Sequence, residues 1–129
     1  MRVFIDYRSR TPIYEQIINS ICREISAGVL AEETQLPSVR ELSATLGINP
    51  NTVQRAYNEL DRRGYIVTVA ARGAFVARDA REKILHGYCA RLLELSALAK
   101  ELREAGVPQA DIVAAVTDIP TGGNDNDTN

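Results

Sequence analysis

The polar side chains between residues 49 and 55 carry the most specific chemistry in this chain of 129 residues. Asn51 and Gln54 each present an amide donor beside an amide acceptor, and Arg55 presents a planar fork of donors. Such groups form paired hydrogen bonds with the edges of nucleobases, and they also bind phosphate oxygens. The chemistry that they favour is therefore recognition of a ligand, without the making or breaking of covalent bonds.

A helix over residues 49–63 is predicted to position these side chains. Asn49 is a preferred N-cap residue, and Pro50 fits the first helical position because an N–H there would have no partner. Apolar residues at three- and four-residue steps predict a buried stripe of Val53, Ala56, Tyr57 and Leu60. The outward face then carries Asn51, Thr52, Gln54, Arg55 and Asn58.

A second short helix is predicted just before it. Ser38 and Glu41 have the spacing of a capping box, Arg40 faces outward, and Gly47 marks the helix end. Its buried side is predicted to consist of Val39, Leu42 and Leu46. Two helices joined by a tight turn with glycine are typical of a helix-turn-helix unit, whose second helix enters the major groove of DNA. An ordinary solvated polar face is the alternative that this spacing leaves open.

Residues 65–77 are predicted to form a β-hairpin. Strand-like segments over 65–69 and 74–77 flank a turn that contains Arg72 and Gly73. A hairpin directly after a helix-turn-helix unit is a wing, and Arg72 at its tip would enter the adjacent minor groove or contact phosphate. A solvated turn residue is the alternative for Arg72. Isoleucines at four-residue steps predict one further helix over residues 12–27.

Residues 80–105 are predicted to form one long amphipathic helix, followed by a short helix over 111–116. One side of the long helix is lined by Ile84, Leu85, Tyr88, Leu92, Leu95, Leu98 and Leu102. Two such helices are too small to enclose a roomy pocket, but they can bury a stripe against a second copy of the chain. Packing within their own chain is the alternative. The polar tail over 120–129 is predicted to be disordered.

Several of these segments resemble the GntR family of bacterial transcription regulators. The motifs are LPSVREL (36–42), NPNTVQRAY (49–57), GYI (64–66) and RGAFV (72–76), and PIYEQI (12–17) resembles the opening of that family's first helix. The resemblance covers residues 11–77, and four motifs in the same order make it specific. The short helical extension resembles the YtrA-like subfamily, in which it serves as the dimerisation unit.

The resemblance implies a mainly α fold with a small β-hairpin, in which a winged helix-turn-helix over 1–78 precedes a two-helix dimerisation extension over 79–119. It implies a homodimeric, sequence-specific regulator of transcription, which we expect to be a repressor of a palindromic operator in double-stranded DNA. The predicted DNA-binding residues are Ser38, Arg40, Asn49, Asn51, Thr52, Gln54, Arg55, Arg72 and Gly73. Where the family carries a Gly–Arg–Gly wing tip, this chain has Ala71 in the first position.

Other function classes have weaker support in the sequence. A winged helix that binds a protein partner instead of DNA stays open as the main alternative. One histidine and two distant cysteines predict no metal site, no catalytic constellation and no cofactor, and the cysteines are expected to be buried. No apolar run is long enough to cross a membrane, so we expect a cytoplasmic, nucleoid-associated protein. A small-molecule effector is neither indicated nor excluded.

Charge is distributed unevenly along the chain. Residues 1–78 contain 10 Arg against 8 Asp and Glu, a net charge of +2, whereas residues 79–129 contain 5 Lys and Arg against 9 Asp and Glu, a net charge of −4. The whole chain is therefore slightly acidic, with a net charge of −2. Because phosphate binding needs local positive charge, the individual arginines of the first part have to supply it.

Overall fold

The computed structural model describes residues 1–119, which fall into two compact units that meet in sequence at Cys89 and Ala90. The first unit contains α1 (Ile13–Ser26), α2 (Val39–Leu46), α3 (Pro50–Arg62), β1 (Ile66–Val69), β2 (Gly73–Val76) and α4 (Ala80–Ala90) up to Cys89. The second unit contains α5 (Leu92–Glu104) and α6 (Gln109–Thr117). The predicted class, mainly α with a small β-hairpin, is confirmed. The tail predicted over 120–129 lies outside the described residues.

The core of the first unit is built chiefly from α1 and α3, which pack against each other. Its fully buried side chains, each less than 2% exposed, include Ile17, Ile21, Ile25, Val53, Leu60, Ile66 and Val76. Burying an aliphatic side chain of this size contributes about 1.5–3 kcal/mol, so these few residues supply much of the driving force for folding. α2 packs on α3 through Leu42, whereas Val39 and Leu46 are only half-buried.

The two strands form an antiparallel hairpin with Ile66 opposite Val76 and Val69 opposite Gly73. The other edge of β2 is also paired, because Val76 N–H donates to the Thr34 carbonyl at 2.8 Å and Leu36 N–H donates to the Ala74 carbonyl at 2.8 Å. Residues 34–36, between α1 and α2, therefore protect the edge of the hairpin and tie the wing to the start of α2.

The single helix predicted over 80–105 is wrong, because α4 ends at Ala90 and α5 begins at Leu92. Arg91 has a ψ of −8°, far from the helical value, and its carbonyl accepts the N–H of Glu94 in a tighter i to i+3 bond of 3.0 Å. Ile84 of α4 is only 3% exposed and belongs to the core of the first unit, so it is not available for the predicted dimerisation stripe.

The two cysteines differ in environment. Cys22 is 5% exposed, and burial raises the pKa of its thiol to about 11, whereas Cys89 is exposed, contrary to prediction. Cys89 differs because it follows Ile84, the last residue of α4 that the core covers. Within residues 1–119, no helix combines the length and apolar character needed to span a bilayer, and no group of acidic, histidine and cysteine side chains could hold a metal ion.

The second unit consists of α5 and α6 joined through Gly106, whose φ of +105° lets the chain leave the helical path after α5. The N–H of Val107 donates to the Leu102 carbonyl at 2.9 Å and closes this turn. Neither helix has a buried residue, and most of the leucines of α5 are exposed, with Leu92 at 59% and Leu98 at 52%. The described part of this unit therefore lacks a core of its own.

Candidate nucleic-acid interface

The start of α3 is fixed by Asn49, whose side-chain Oδ1 accepts the backbone N–H of Asn51 at 2.8 Å. Pro50 occupies the first helical turn, as predicted. The Asn49 oxygen is therefore used to cap the helix, which gives this residue a structural role besides the predicted contact with DNA. Asn51, by contrast, is exposed, and its side chain has no hydrogen-bond partner in the described part of the chain.

The outward face of α3 presents Gln54 and Arg55, both exposed, whereas Thr52 is half-buried. Gln54 Nε2 donates to Asn58 Oδ1 at 2.9 Å, which holds the two amides side by side on successive turns. The Arg55 guanidinium carbon lies 3.8 Å from the centre of the Tyr14 ring, within cation–π range. This contact holds Arg55 against α1 while its charge stays unneutralised.

α3 is fastened to the segment before α2 by Tyr57, whose hydroxyl donates to the Pro37 carbonyl at 2.7 Å. Burial, and secondarily the negative charge of Glu41, raises the pKa of the Tyr57 hydroxyl, so the hydroxyl keeps its proton and remains a donor. The next residue, Ser38, caps α2: its Oγ accepts the Glu41 N–H at 3.0 Å, and Glu41 Oε1 accepts the Ser38 N–H at 3.1 Å. The predicted capping box is confirmed.

The wing tip has a constrained backbone around Arg72. Arg72 N–H donates to the Val69 carbonyl at 3.0 Å, and the Arg72 carbonyl accepts from Gln35 Nε2 at 2.8 Å. Ala71 has a φ of +67°, in the left-handed region that a glycine would occupy without strain. Gly73 has a φ of +110°, which favours glycine, and a Cβ there would lie 3.0 Å from Gln35 Nε2, so a larger residue would also displace that amide.

The arginines of the first unit divide into paired and unpaired groups. Arg62 and Arg63 both bind Glu59, and these contacts, chiefly the hydrogen bond from Arg62, lower the pKa of Glu59 to about 2. In contrast, Arg40 and Arg72 are exposed, and neither guanidinium has an ion pair or hydrogen bond with any residue that the structure describes. The predicted DNA-binding arginines Arg40 and Arg72 are thus among the arginines that have no internal counterion in the described part of the chain.

Two residues with a clear part in this arrangement were missed from the sequence, namely Tyr14 and Gln35. Gln35 reaches Arg72 across a separation of 37 residues, and Tyr14 meets Arg55 only because α1 packs on α3. No local pattern signals either contact. The predicted set itself lies on α2, α3 and the wing of one compact unit, and its contact with DNA stays a prediction.

Comparison with known proteins identifies relatives for both units. The family described as "Bacterial regulatory proteins, gntR family" matches residues 13–76. The chain is 38% identical over 127 residues to the HTH-type transcriptional repressor YtrA of Bacillus subtilis (strain 168), covering 95% of this chain and 98% of that protein. It is similar in structure to a GntR family transcriptional regulator from Listeria monocytogenes, with a TM-score of 0.73, 33% identity and coverage of 88% and 100% of the two chains.

A further solved structure, AraR(DBD) in complex with operator ORX1, has a TM-score of 0.52 and 28% identity, with coverage of 57% of this chain and 92% of that one. None of these findings supports a winged helix that binds only protein partners. The predicted function class is confirmed: this chain is a DNA-binding transcriptional regulator and belongs to the GntR family of bacterial regulatory proteins.

Proposed function

We propose that the chain is a repressor that binds a palindromic operator as a homodimer, with α3 in the major groove and the wing beside it. This proposal rests on the exposed side chains of the winged helix-turn-helix unit that have no partner among the described residues, chiefly Arg40, Asn51 and Arg72. Amide and guanidinium groups at the start of a recognition helix are the ones that read base edges. The similarity to the repressor YtrA, which is 38% identical over nearly its whole length, supports repression as the direction of regulation.

The apolar stripe of α5 supports the homodimer. Leu92, Leu95 and Leu98 are 59%, 45% and 52% exposed. Because they are spaced three residues apart along one side of α5, they form a contiguous apolar surface, unlike the single exposed apolar residues that are common on proteins. Leu85 and Leu102 are half-buried and Tyr88 is 41% exposed, so each of these residues keeps some surface that a partner copy could cover. Two-fold pairing would set two recognition helices about 34 Å apart, one turn of B-DNA.

The remaining parts of the proposal concern the setting in which the chain acts. We place it in the cytoplasm, associated with the nucleoid, and assign it no catalytic activity and no cofactor, because its relatives are transcription regulators. We propose three functional parts: the winged helix-turn-helix over 1–78, the dimerisation extension over 79–119, of which Ala80 and Ile84 belong to the core of the first unit, and the tail over 120–129. A small-molecule effector, if the protein responds to one, would bind between the paired copies, since α5 and α6 are too few to enclose a pocket.

Fluorescence anisotropy tests the proposed function. The full chain is titrated against the DNA upstream of its own gene and against a scrambled duplex of equal length and composition, at several salt concentrations. A preference of about 10³ or more for the native duplex, with affinity falling steeply as salt rises, is expected of a specific operator. Equal affinity for the two duplexes at every salt concentration would contradict the proposal that the chain binds a specific operator in this DNA.

A further inference from the structure

Residues 1–12 form a segment whose course along α1 is fixed by hydrogen bonds. Gln16 is its anchor, since Gln16 Oε1 accepts the Asp6 N–H at 2.8 Å and Gln16 Nε2 donates to the carbonyls of Asp6 at 3.0 Å and Thr11 at 2.8 Å. Residues 6–9 turn, with the Ser9 N–H donating to the Asp6 carbonyl at 3.2 Å. Arg8 and Arg10 are therefore presented from a defined backbone and not from a free end.

This segment is basic, with three arginines against one acidic residue between residues 1 and 12. Arg8 and Arg10 are exposed, and their guanidiniums have no ion pair or hydrogen bond within residues 1–119, as is also true of Arg40 and Arg72. The carboxylates nearest to them in sequence accept other hydrogen bonds: Asp6 Oδ1 accepts the Arg8 backbone N–H at 2.9 Å, and Glu15 Oε1 accepts the Tyr14 hydroxyl at 3.2 Å. Both cations are available to an external anion.

The packing of α1 on α3 fixes where these cations lie. Tyr14, near the start of α1, contacts Arg55 in the first half of α3, with the Arg55 guanidinium carbon 3.8 Å from the centre of the Tyr14 ring. The start of α1 therefore lies beside the first half of α3. Arg10 stands four residues before Tyr14, so at most about 14 Å of chain separates them.

We propose that Arg8 and Arg10 bind phosphates of the operator backbone beside the base pairs that α3 contacts. The inference rests on the proposed function and extends the DNA-binding surface to a segment outside the helix-turn-helix unit and the wing. The N-terminal half of a recognition helix is the part that reaches the bases, so cations close to that half would lie within reach of the adjoining phosphates. Phosphate contacts position a protein on DNA without reading its sequence.

The test is the double variant Arg8→Gln with Arg10→Gln in the full chain, which removes both charges and keeps polar side chains. Anisotropy titrations use the upstream duplex and its scrambled partner at several salt concentrations. We expect affinity for both duplexes to fall by the same factor, so that their ratio is unchanged. The slope of log affinity against log salt should fall in magnitude by about 0.9 for each phosphate that is no longer neutralised, or about 1.8 for each bound chain.

The matched control is Arg2→Gln with Arg23→Gln, which removes the same charge at the opposite end of α1. Arg2 N–H binds Glu24 Oε1 at 2.5 Å, and Glu24 lies ten residues, or about 15 Å of helix, from Tyr14. If the control lowers the salt slope as much as the test variant, or if the test variant keeps the wild-type slope, the inference is overturned. If the wild-type chain itself binds neither duplex, the proposed function fails and the inference fails with it.

Discussion

Asn49 and Asn51 stand two residues apart at the start of α3, and the structure separates their roles. The side chain of Asn49 caps the helix, whereas that of Asn51 is exposed and free of hydrogen bonds within the described chain. We expect Asn49→Ala to lower the free energy of unfolding by about 1 kcal/mol, because the N-cap hydrogen bond is removed. Asn51→Ala should leave stability unchanged and weaken operator binding by about 1–3 kcal/mol. Urea denaturation and anisotropy measure the two effects, and equal destabilisation by both substitutions would contradict this assignment.

Arg40 illustrates the same distinction between side chains that hold the fold and side chains that remain available. Its guanidinium has no partner among residues 1–119, so Arg40→Ala should leave the helical circular dichroism and the unfolding midpoint unchanged. If Arg40 reads a base, the substitution should weaken the free energy of operator binding by about 1–3 kcal/mol. If Arg40 instead binds phosphate, the affinity for every duplex should fall by one common factor. Arg23→Ala, an exposed arginine near the end of α1, serves as the control. An unfolded Arg40 variant would show that the residue is structural.

At the scale of elements, the wing depends on a residue far from it in sequence. Gln35 Nε2 donates to the Arg72 carbonyl at 2.8 Å and so limits the motion of the tip. Gln35→Glu keeps the size of the side chain but cannot donate, and its carboxylate would repel that carbonyl. We expect faster hydrogen exchange in the wing and weaker operator binding, with global stability changed by less than about 1 kcal/mol because the site is exposed. Unchanged exchange at Arg72 and Gly73 would contradict this role.

Elements with strong local signals were predictable from the sequence. Ser38 and Glu41 at capping-box spacing located the start of α2, Asn49 and Pro50 located the start of α3, and Gly47 located the end between them. Contacts made by tertiary packing were not predictable. The pairing of residues 34–36 with β2, and the burial of Ile84 in the first unit, depend on neighbours distant in sequence. The break at Arg91 carries no glycine or proline that would signal it.

At the scale of the whole molecule, assembly should depend on one side of α5. At 100° per residue, Leu95 shares a side with Leu92 and Leu98, whereas Leu93 points in nearly the opposite direction. Leu95→Glu should yield a monomer in sedimentation velocity, with its helical content intact. Its operator affinity should fall on the order of 10²-fold, because the two half-sites would be bound independently.

Leu93→Glu is the matched control for this prediction. Leu93 is 77% exposed, so the variant introduces the same charge into the same helix away from the proposed stripe. It should remain a dimer and bind the operator as the wild type does. A monomeric Leu93 variant together with a dimeric Leu95 variant would place the interface on the other side of α5 and contradict the proposed pairing.

We expect two copies of this chain to read a palindrome through α3 and the wing. Selection of binding sites from a library of random DNA duplexes by the 129-residue chain measures this. We predict enrichment of an inverted repeat whose half-site centres lie one helical turn, about 34 Å, apart. Recovery of a library with no enriched sequence, or of a single half-site without its inverted partner, would contradict it.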